Sequence, residues 1–418
     1  MRSADLRGLR VAIWGFAREG QAALRLLRQC DPGMAITVLD DAEGARDAGA
    51  PVIGGRAAIA AAIGGFDVVV KSPGISLYDP LVMQAQEAGV RFTSLLNLWF
   101  ADAPRCRTIC VTGTKGKSTT TALIAHMLRG VGWNAAAAGN IGVPVTDLPR
   151  NGLDAAVIEV SSYQAADFAQ QCDIAVLTSL HQEHLDWHGG ISAYHRDKLN
   201  LLTHARYALI SQQAYPTADR ILDLRRIDNA VFTTSPGLRI ANRYLSRAHN
   251  LSNLAGALAV TRRLGIDDAA ALRAAEDFPP LPHRQQEIGE IDGVLYVDDS
   301  ISTTPEATIA ALDVYADRSV TVIIGGHDRG IDYGALIERL RTEPRPAIVL
   351  MDASGQRISD RLDGEDAKFA QSMREAVDFA RTMTKVGGIV LLSPAAPSYG
   401  RYHSFIERGQ DFARCAGL

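Results

Sequence analysis

This sequence has few cysteines, no long hydrophobic runs and no large excess of one charge. The five cysteines are odd in number and widely scattered, without the spacing of a disulfide framework or of a zinc site. No run of about eighteen apolar residues is found, and residues 1–20 lack a signal-peptide core. With 43 basic and 47 acidic residues, the chain is not expected to bind nucleic acid or a membrane. We expect a cytoplasmic protein with a small anionic substrate.

The sequence does contain three successive series of strand and helix patterns. Its 418 residues, of which 47% are hydrophobic, are enough for several domains with their own cores. The first series, "LRVAIWG", "GQAALRLLRQC" and "AITVLDD", forms one βαβ unit, and the third follows the proline-rich "FPPLPHR" at 278–284. We predict an α/β protein with a Rossmann-like domain at 1–97, a P-loop ATPase-like domain at 98–282 and a Rossmann-like domain at 283–418.

The stretch "VTGTKGKST", residues 111–119, joins an apolar strand end to a helix pattern. Gly113 and Gly116 permit a tight turn, after which the free N–H groups and the dipole of the helix favour an anion. Lys117 adds a positive charge, and Ser118 or the next threonine can bind Mg2+. Val111 stands where the usual phosphate-loop pattern has its first glycine, so a glycine-rich turn with a solvated lysine remains an alternative.

Two further strand ends carry weaker signals. The turn "GFAREG" at 15–20 lacks the middle glycine of the dinucleotide-binding pattern, and Asp40 at the next strand end suits either a ribose or uracil edge or a turn cap. Ser72 and Gly74 in "SPGIS" are candidate ligand contacts, although a type II turn without a ligand explains the same residues.

A carboxylate and a histidine-rich segment point to a metal ion in the second series. Glu159 ends the apolar strand of "VIEVSSYQ", where it can bind the Mg2+ of a nucleotide or simply pair with a lysine. The segment "HQEHLDWHGGISAYHRDK" has four histidines but no cysteine, and "HGG" interrupts its helical pairs, so zinc-protease chemistry does not fit. A site for a hard cation is the better interpretation.

Eight motifs in order resemble the Mur ligase family over essentially the whole chain. They are "GTKGKST", "EVSSYQ", "HLDWHG…YHRDK", "RAHNLSN", "LPHR", "DDSISTTPEAT", "GGHDRG" and "LSPAAPSYGRYHSFIERG", and "GFAREG" and "SPGIS" are similar to the MurD type. The resemblance implies an ATP-dependent ligase of peptidoglycan synthesis that joins an amino acid to a UDP-N-acetylmuramoyl acceptor. It also implies a monomer.

The resemblance further implies roles for residues in the nucleotide and metal sites. Lys117, Lys198, His184 and Arg284 are the implied catalytic residues. ATP is implied to contact Gly113, Thr114, Lys115, Gly116, Lys117, Ser118, Thr119, Asn250, Asn253, Arg284 and Asp299. One Mg2+ would lie on Ser118 and Glu159, and a second on His184. Lys198 matches a lysine that is carbamylated in the family and then serves as a metal ligand.

Two substrate sites are implied in the same way. The UDP-sugar, UDP-N-acetylmuramoyl-L-alanine, would contact Gly15, Phe16, Ala17, Asp40, Ser72, Pro73, Gly74 and Asn140. The incoming glutamate would contact Thr303, Arg329, Ser398 and Phe405. Taken alone, Arg284 is equally explained as a linker residue, and "HNLSN" as a helix start capped by asparagine.

The third series departs from the pattern of ligases that add D-glutamate. Ile301 and Arg329 stand at two positions where lysine is usual, and arginine and lysine are not interchangeable in binding a carboxylate. The motifs resemble the minority branch that adds L-glutamate, which implies a downstream epimerase. D-glutamate addition is the alternative, followed by a folylpolyglutamate-synthase-like ligase and a non-catalytic P-loop switch.

Overall fold

The computed structural model describes residues 1–42, 48–102, 104–183, 185–234, 237–362 and 367–418. The chain forms two compact units, Met1–Phe278 and Pro279–Leu418, and the division falls in the proline-rich break. The first unit contains two β-sheets and the second unit one. Within the described part of the chain, every helix is too short or too polar to cross a bilayer.

The amino-terminal sheet is parallel, with its strands in the order β3-β2-β1-β4-β5. Its two central strands, "VAIW" and "VVVK", are buried along their whole length, as expected for strands covered on both faces. The strands are β1 Val11–Trp14, β2 Ile36–Asp40, β3 Val52–Gly54, β4 Val68–Lys71 and β5 Arg91–Thr93. The helices are α1 Arg18–Cys30, α2 Arg56–Ala62, α3 Pro80–Glu87 and α4 Leu95–Ala101.

The second sheet of this unit is also parallel, with the order β11-β10-β9-β6-β8-β7. Its strands are β6 Arg107–Thr112, β7 Ala135–Gly139, β8 Ala155–Glu159, β9 Cys172–Leu177, β10 Ala205–Ser211 and β11 Asn229–Phe232. Its helices are α5 Lys117–Gly130, α6 Ser162–Ala166, α7 Leu185–His188, α8 Ile191–Thr203, α9 Tyr215–Leu222, α10 Ala248–Arg263 and α11 Asp268–Ala275. Strand β6 lies between β8 and β9, so the loop after β6 is at a point where such sheets bind ligands.

One continuous hydrophobic core joins the two sheets of the first unit. Ile13 and Leu27 from the amino-terminal sheet layer belong to the same buried cluster as Phe168 and Leu199. The rings of Phe100 and Phe168 meet edge to face, with their centroids 5.0 Å apart. This core fixes the loops of the first sheet against those of the second.

The second unit has one sheet in the order β12-β13-β17-β14-β15-β16, in which only the β12–β13 pair is antiparallel. Its strands are β12 Gln286–Ile291, β13 Val294–Asp298, β14 Val320–Gly325, β15 Ala347–Met351, β16 Ala367–Ala370 and β17 Ile389–Leu392. Its helices are α12 Pro305–Val314, α13 Gly334–Arg341, α14 Asp352–Ser359, α15 Met373–Met383 and α16 Phe405–Ala416. The prediction of an α/β protein with three sheet-containing domains is therefore confirmed, whereas the exact boundaries at 97/98 and 282/283 stay predictions.

Candidate active site

The loop between β6 and α5 has the backbone of an anion-binding turn. Gly113 and Gly116 have φ angles of 148° and 87°, which side chains rarely permit. A Cβ atom at Gly113 would overlap Thr178 Oγ1, and one at Gly116 would overlap Asn253 Oδ1. Gly116 caps α5, and no side chain caps that helix, so its first N–H groups suit a phosphate.

Neighbouring elements hold this loop in place. The Thr114 N–H donates to Ser179 O over 3.0 Å, and the Lys115 N–H donates to Ser179 Oγ over 2.8 Å. Thr178 Oγ1 donates to Lys115 O over 2.6 Å. Lys117 Nζ donates to Thr114 O over 3.0 Å, so its ammonium lies against the loop backbone. The loop is therefore ordered by bonds that need no ligand.

Glu159 presents a carboxylate oxygen that suits a cation. The residue is 1% exposed and pairs in register with Val111, directly before the loop. Oε1 accepts a hydrogen bond from Asn140 Nδ2 over 3.0 Å, while the buried Oε2 has no hydrogen-bond partner. Burying such an oxygen without a partner is costly, and a divalent cation would offset that cost. The first unit therefore fits Mg2+ at this place.

Lys198 is buried beside the same loop. It lies on α8, is 2% exposed, and donates from Nζ to Gly113 O over 2.9 Å. Burial, followed by the nearby ammonium of Lys117, lowers the pKa of Lys198 well below its usual value. A lowered pKa favours the neutral amine, which is the form that reacts with carbon dioxide. These surroundings fit the implied carbamate.

The histidines of the segment at 181–198 have different surroundings in the structure. His184 lies outside the described residues. His188 is fully buried and bonds through Nδ1 to Asp197 Oδ2 over 2.5 Å and through Nε2 to Ser162 Oγ over 3.0 Å. Burial and then Lys198 lower the pKa of His195. Among the described residues, no three His, Cys, Asp or Glu side chains form a metal-binding group, and the predicted ligand set is incomplete there because it includes His184.

A cavity of about 450 Å3 lies between the loops of the first unit's two sheets. All eight residues predicted to bind the UDP-sugar line it: Gly15, Phe16, Ala17, Asp40, Ser72, Pro73, Gly74 and Asn140. The sequence analysis did not identify four polar residues that also line it: Arg18, Glu19, Asp41 and Gln164. Arg18 and Glu19 lie inside "GFAREG", but the dinucleotide-binding pattern specifies only the glycines of that turn.

Glu19 is a largely buried acid in the lining of this cavity. Its Oε1 accepts a hydrogen bond from Gln164 Nε2 over 2.6 Å. Burial raises the pKa of Glu19 to about 7, and the negative charge of Asp167 adds to the rise, while Lys71 and Arg18 oppose it. Asp167 Oδ2 is itself 3.1 Å from the buried Lys71 Nζ. The hydrogen bond between Glu19 and Gln164 thus joins the first turn of α1 to α6.

Glu19→Gln is expected to stabilise the protein at alkaline pH. The folded-state pKa lies above the ordinary value of 4.5, so the contribution of Glu19 is fully present below pH 4.5 and is lost as the pH rises through about 7. Glutamine remains neutral and should recover up to about 3 kcal/mol at pH 8. Urea unfolding of both proteins at pH 5 and pH 8 measures this gain. The exposed Glu87→Gln is the control, and an equal change at both pH values would contradict the prediction.

The loop that follows β4, residues 72–79, is bonded to the segment that precedes Lys198. Trp187 Nε1 donates to Gly74 O over 3.1 Å, and Ser76 Oγ donates to Trp187 O over 2.6 Å. Tyr78 OH donates to Asp197 Oδ1 over 2.8 Å. We call these three contacts the clasp. It joins the wall of the cavity to α8, the helix that carries Lys198.

Asn250 and Asn253 lie within α10, and no side chain caps that helix. Asn250 Nδ2 donates to Tyr244 O over 2.9 Å, and Asn253 Nδ2 donates to Asn250 Oδ1 over 2.9 Å. Thr120 Oγ1 donates to Asn253 Oδ1 over 3.3 Å. The pair therefore supports the phosphate-loop helix, and the alternative of asparagine capping is wrong.

In the second unit, Asp299 follows β13 and is 1% exposed. It accepts hydrogen bonds from Ser302 Oγ over 2.6 Å, from Ser393 Oγ over 2.9 Å and from the Gln285 N–H over 3.0 Å. Burial nevertheless raises its pKa to about 6. Arg284 has a buried Nε without a hydrogen-bond partner.

Four residues of this unit were predicted to bind the amino acid. Arg329 Nη2 donates to Thr303 O over 2.8 Å, which brings two of them together. Ser398 is buried in the loop after β17, and Phe405 opens α16, where its carbonyl accepts a hydrogen bond from Ser300 Oγ over 2.8 Å. Their roles in binding stay predictions.

Comparison with known proteins agrees with this architecture. Residues 111–237 match the Mur ligase middle domain, and residues 283–396 match the Mur ligase glutamate ligase domain. The chain is 41% identical to a UDP-N-acetylmuramoyl-L-alanine--L-glutamate ligase of Xanthomonas euvesicatoria, with 100% of this chain and 97% of that protein covered. A ligase of the same name from a Micromonospora species is also 41% identical, with 99% and 97% covered.

Solved structures show the same fold at low identity. UDP-N-acetylmuramate-alanine ligase MurC from Thermotoga maritima aligns with a TM-score of 0.61 at 18% identity, covering 97% of this chain and 98% of that one. MurF from Thermotoga maritima in complex with ADP aligns with a TM-score of 0.59 at 15% identity, covering 99% and 96%.

Three α/β sheets with a phosphate loop after a central strand define the class of ATP-dependent, ADP-forming ligases found among these relatives. The chain belongs to the Mur ligase family, and its relatives place it with the glutamate-adding MurD type. It is an enzyme of peptidoglycan synthesis, as its sequence predicted.

Proposed function

We propose that the protein joins glutamate to UDP-N-acetylmuramoyl-L-alanine while ATP is cleaved to ADP and phosphate, and that L-glutamate is the preferred amino acid. The observation that carries the proposal is the proximity of three features in one unit. These are a preformed phosphate loop, an unpartnered carboxylate oxygen on Glu159 and a buried amine on Lys198. The names of the full-length relatives support both the proposed substrates and the proposed preference for L-glutamate over D-glutamate.

The chemistry follows from the poor reactivity of a carboxylate. ATP phosphorylates the alanyl carboxylate of the acceptor, and the amine of glutamate attacks the resulting acyl phosphate, from which phosphate leaves. The N–H groups at the start of α5 and the ammonium of Lys117 offset the negative charge of the transferred phosphoryl group. Asn140 orients Glu159 through its hydrogen bond to Oε1.

We propose that Ser118, Glu159, His184 and carbamylated Lys198 hold Mg2+. The bound Mg2+ supplies positive charge that screens the phosphates and the acceptor carboxylate from each other. Carbamylation would turn the amine of Lys198, which cannot offer negative charge to a metal, into an anion that can bind it. We also retain Arg284, Asp299, Asn250 and Asn253 as proposed nucleotide contacts, on the resemblance alone.

The preference for L-glutamate is supported by the amino-acid site. Ile301 removes one ammonium that D-glutamate-adding relatives carry, and Arg329 replaces a second with a planar guanidinium held by Thr303 O. A changed number and direction of cationic donors changes where the two carboxylates of glutamate can be held. We further propose a monomer that acts in the cytoplasm, where its five free cysteines remain reduced, upstream of an epimerase.

Phosphate release and product mass test the proposal. With ATP, Mg2+ and UDP-N-acetylmuramoyl-L-alanine, we expect L-glutamate to give at least about tenfold higher kcat/KM than D-glutamate, since a site built for one carboxylate arrangement rejects the other. The reverse order would leave the ligase intact and make the stereochemistry wrong. No phosphate release with either hand would contradict the ligase and favour a nucleotide switch, and activity on a folate acceptor would favour the folylpolyglutamate-synthase-like alternative.

A further inference from the structure

The cavity that would receive the UDP-sugar is short of positive charge. Its lining contains three acids, Glu19, Asp40 and Asp41, and among the described lining residues Arg18 is the single cation. The negative charge of Asp41 is partly offset by Arg56, which does not line the cavity and whose Nη1 lies 3.2 Å from Asp41 Oδ2. A UDP-sugar carries a diphosphate, so its binding next to these acids needs a counter-charge.

Arg18 lies where it can supply that charge. It is the first residue of α1, whose N-cap Ala17 makes no side-chain capping bond. Its Nη1 donates to Gly142 O over 3.0 Å, in the loop that also carries the cavity residue Asn140. The other N–H donors of a guanidinium remain able to form paired bonds to phosphate oxygens, and the free N–H groups of the α1 turn favour the same anion.

Arg18 forms no described ion pair with the neighbouring acid, Glu19, although their charges attract each other. Oε1 of Glu19 is bonded to Gln164, and the described ion pairs do not include one between Arg18 and Glu19. Burial and Asp167 raise the pKa of Glu19 to about 7, so a large share of this carboxyl is neutral at neutral pH. The positive charge of Arg18 is therefore left for a ligand.

We propose that Arg18 binds the diphosphate of the UDP-sugar and sets the preference of this cavity for diphosphate nucleotides over uncharged nucleosides. This inference rests on the proposed function, because the diphosphate comes from the acceptor.

Inhibition by UDP and by uridine, each competing with UDP-N-acetylmuramoyl-L-alanine, tests the role in the full-length enzyme. For Arg18→Ala we expect the inhibition constant of UDP to rise about 10- to 100-fold, as for a lost charge-assisted hydrogen bond, while that of uridine changes less than about twofold. The KM of the acceptor should rise in parallel with little change in kcat. Arg18→Lys should restore part of the affinity.

Arg25→Ala is the matched control. Arg25 lies on the same helix and pairs through Nη2 with Asp147 Oδ1 over 3.3 Å, so it makes a similar bridge without lining the cavity. Equal losses for the two variants, or an unchanged UDP constant in Arg18→Ala, would overturn the inference and leave the ligase standing. A wild-type enzyme that neither turns over the acceptor nor is inhibited by UDP would overturn the proposed function as well.

Discussion

We expect Lys198→Ala to abolish turnover, with a fall in kcat of about a thousandfold or more, because it removes a proposed metal-holding group. The amine of Lys198 is buried against Gly113 O at the phosphate loop, and its lowered pKa favours the neutral form that carbon dioxide modifies. Removing the side chain would remove both the proposed carbamate oxygens and the contact with the loop.

Short-chain carboxylic acids should partly restore the activity of Lys198→Ala. Acetate or propionate can enter the vacated space and replace the missing carbamate oxygens. Lys198→Arg is the matched variant, because it keeps a cation but cannot form a carbamate, and we expect it to stay inactive and to resist this rescue. Labelling of the wild type with 13C-bicarbonate should give a carbamate signal that both variants lack. Normal turnover of Lys198→Ala would contradict the role.

We expect Glu159→Gln to reduce kcat by about a hundredfold or more and to raise the Mg2+ concentration needed for half-maximal activity. Glutamine keeps the size of the side chain and can still accept the hydrogen bond from Asn140 Nδ2. It replaces the unpartnered Oε2 by an amide group, which cannot bind a cation in the same way. The variant therefore isolates the charge of Glu159 from its packing.

Asp173→Asn is the control for Glu159→Gln. Asp173 lies in β9 of the same sheet and accepts hydrogen bonds from the N–H and the hydroxyl of Thr108. Its replacement should change stability without changing the Mg2+ dependence. Steady-state rates over a range of Mg2+ concentrations, with thermal unfolding of each variant, separate the two effects. An unaltered Mg2+ requirement in Glu159→Gln would show that this carboxylate does not hold the metal.

Local patterns predicted most of the fold. The runs that became β1, β4, β6 and β14 are short and apolar, and each ends in a glycine or proline turn, which is typical of buried parallel strands. The phosphate loop was recognisable without the first glycine of the usual pattern. Glycine is present at the two positions that have positive φ angles, Gly113 and Gly116.

The contacts that sequence could not predict join residues far apart in the chain. The buried pair of Lys71 and Asp167 has no local signature, because a lysine at a strand end normally suggests a solvated side chain. His188 has the residue type of a metal ligand, but the fold uses it to bond Asp197 and Ser162. Only three-dimensional packing distinguishes these roles.

The clasp joins the proposed acceptor cavity to the helix that carries Lys198, a proposed metal ligand. Trp187 and Tyr78 connect residues 72–79 to the stretch leading into Lys198. If the acceptor and the metal favour the same arrangement of that connection, each raises the affinity for the other by the same factor. An inhibitor that fills the sugar cavity alone is therefore expected to change the affinity for Mg2+, whichever of the two binds first.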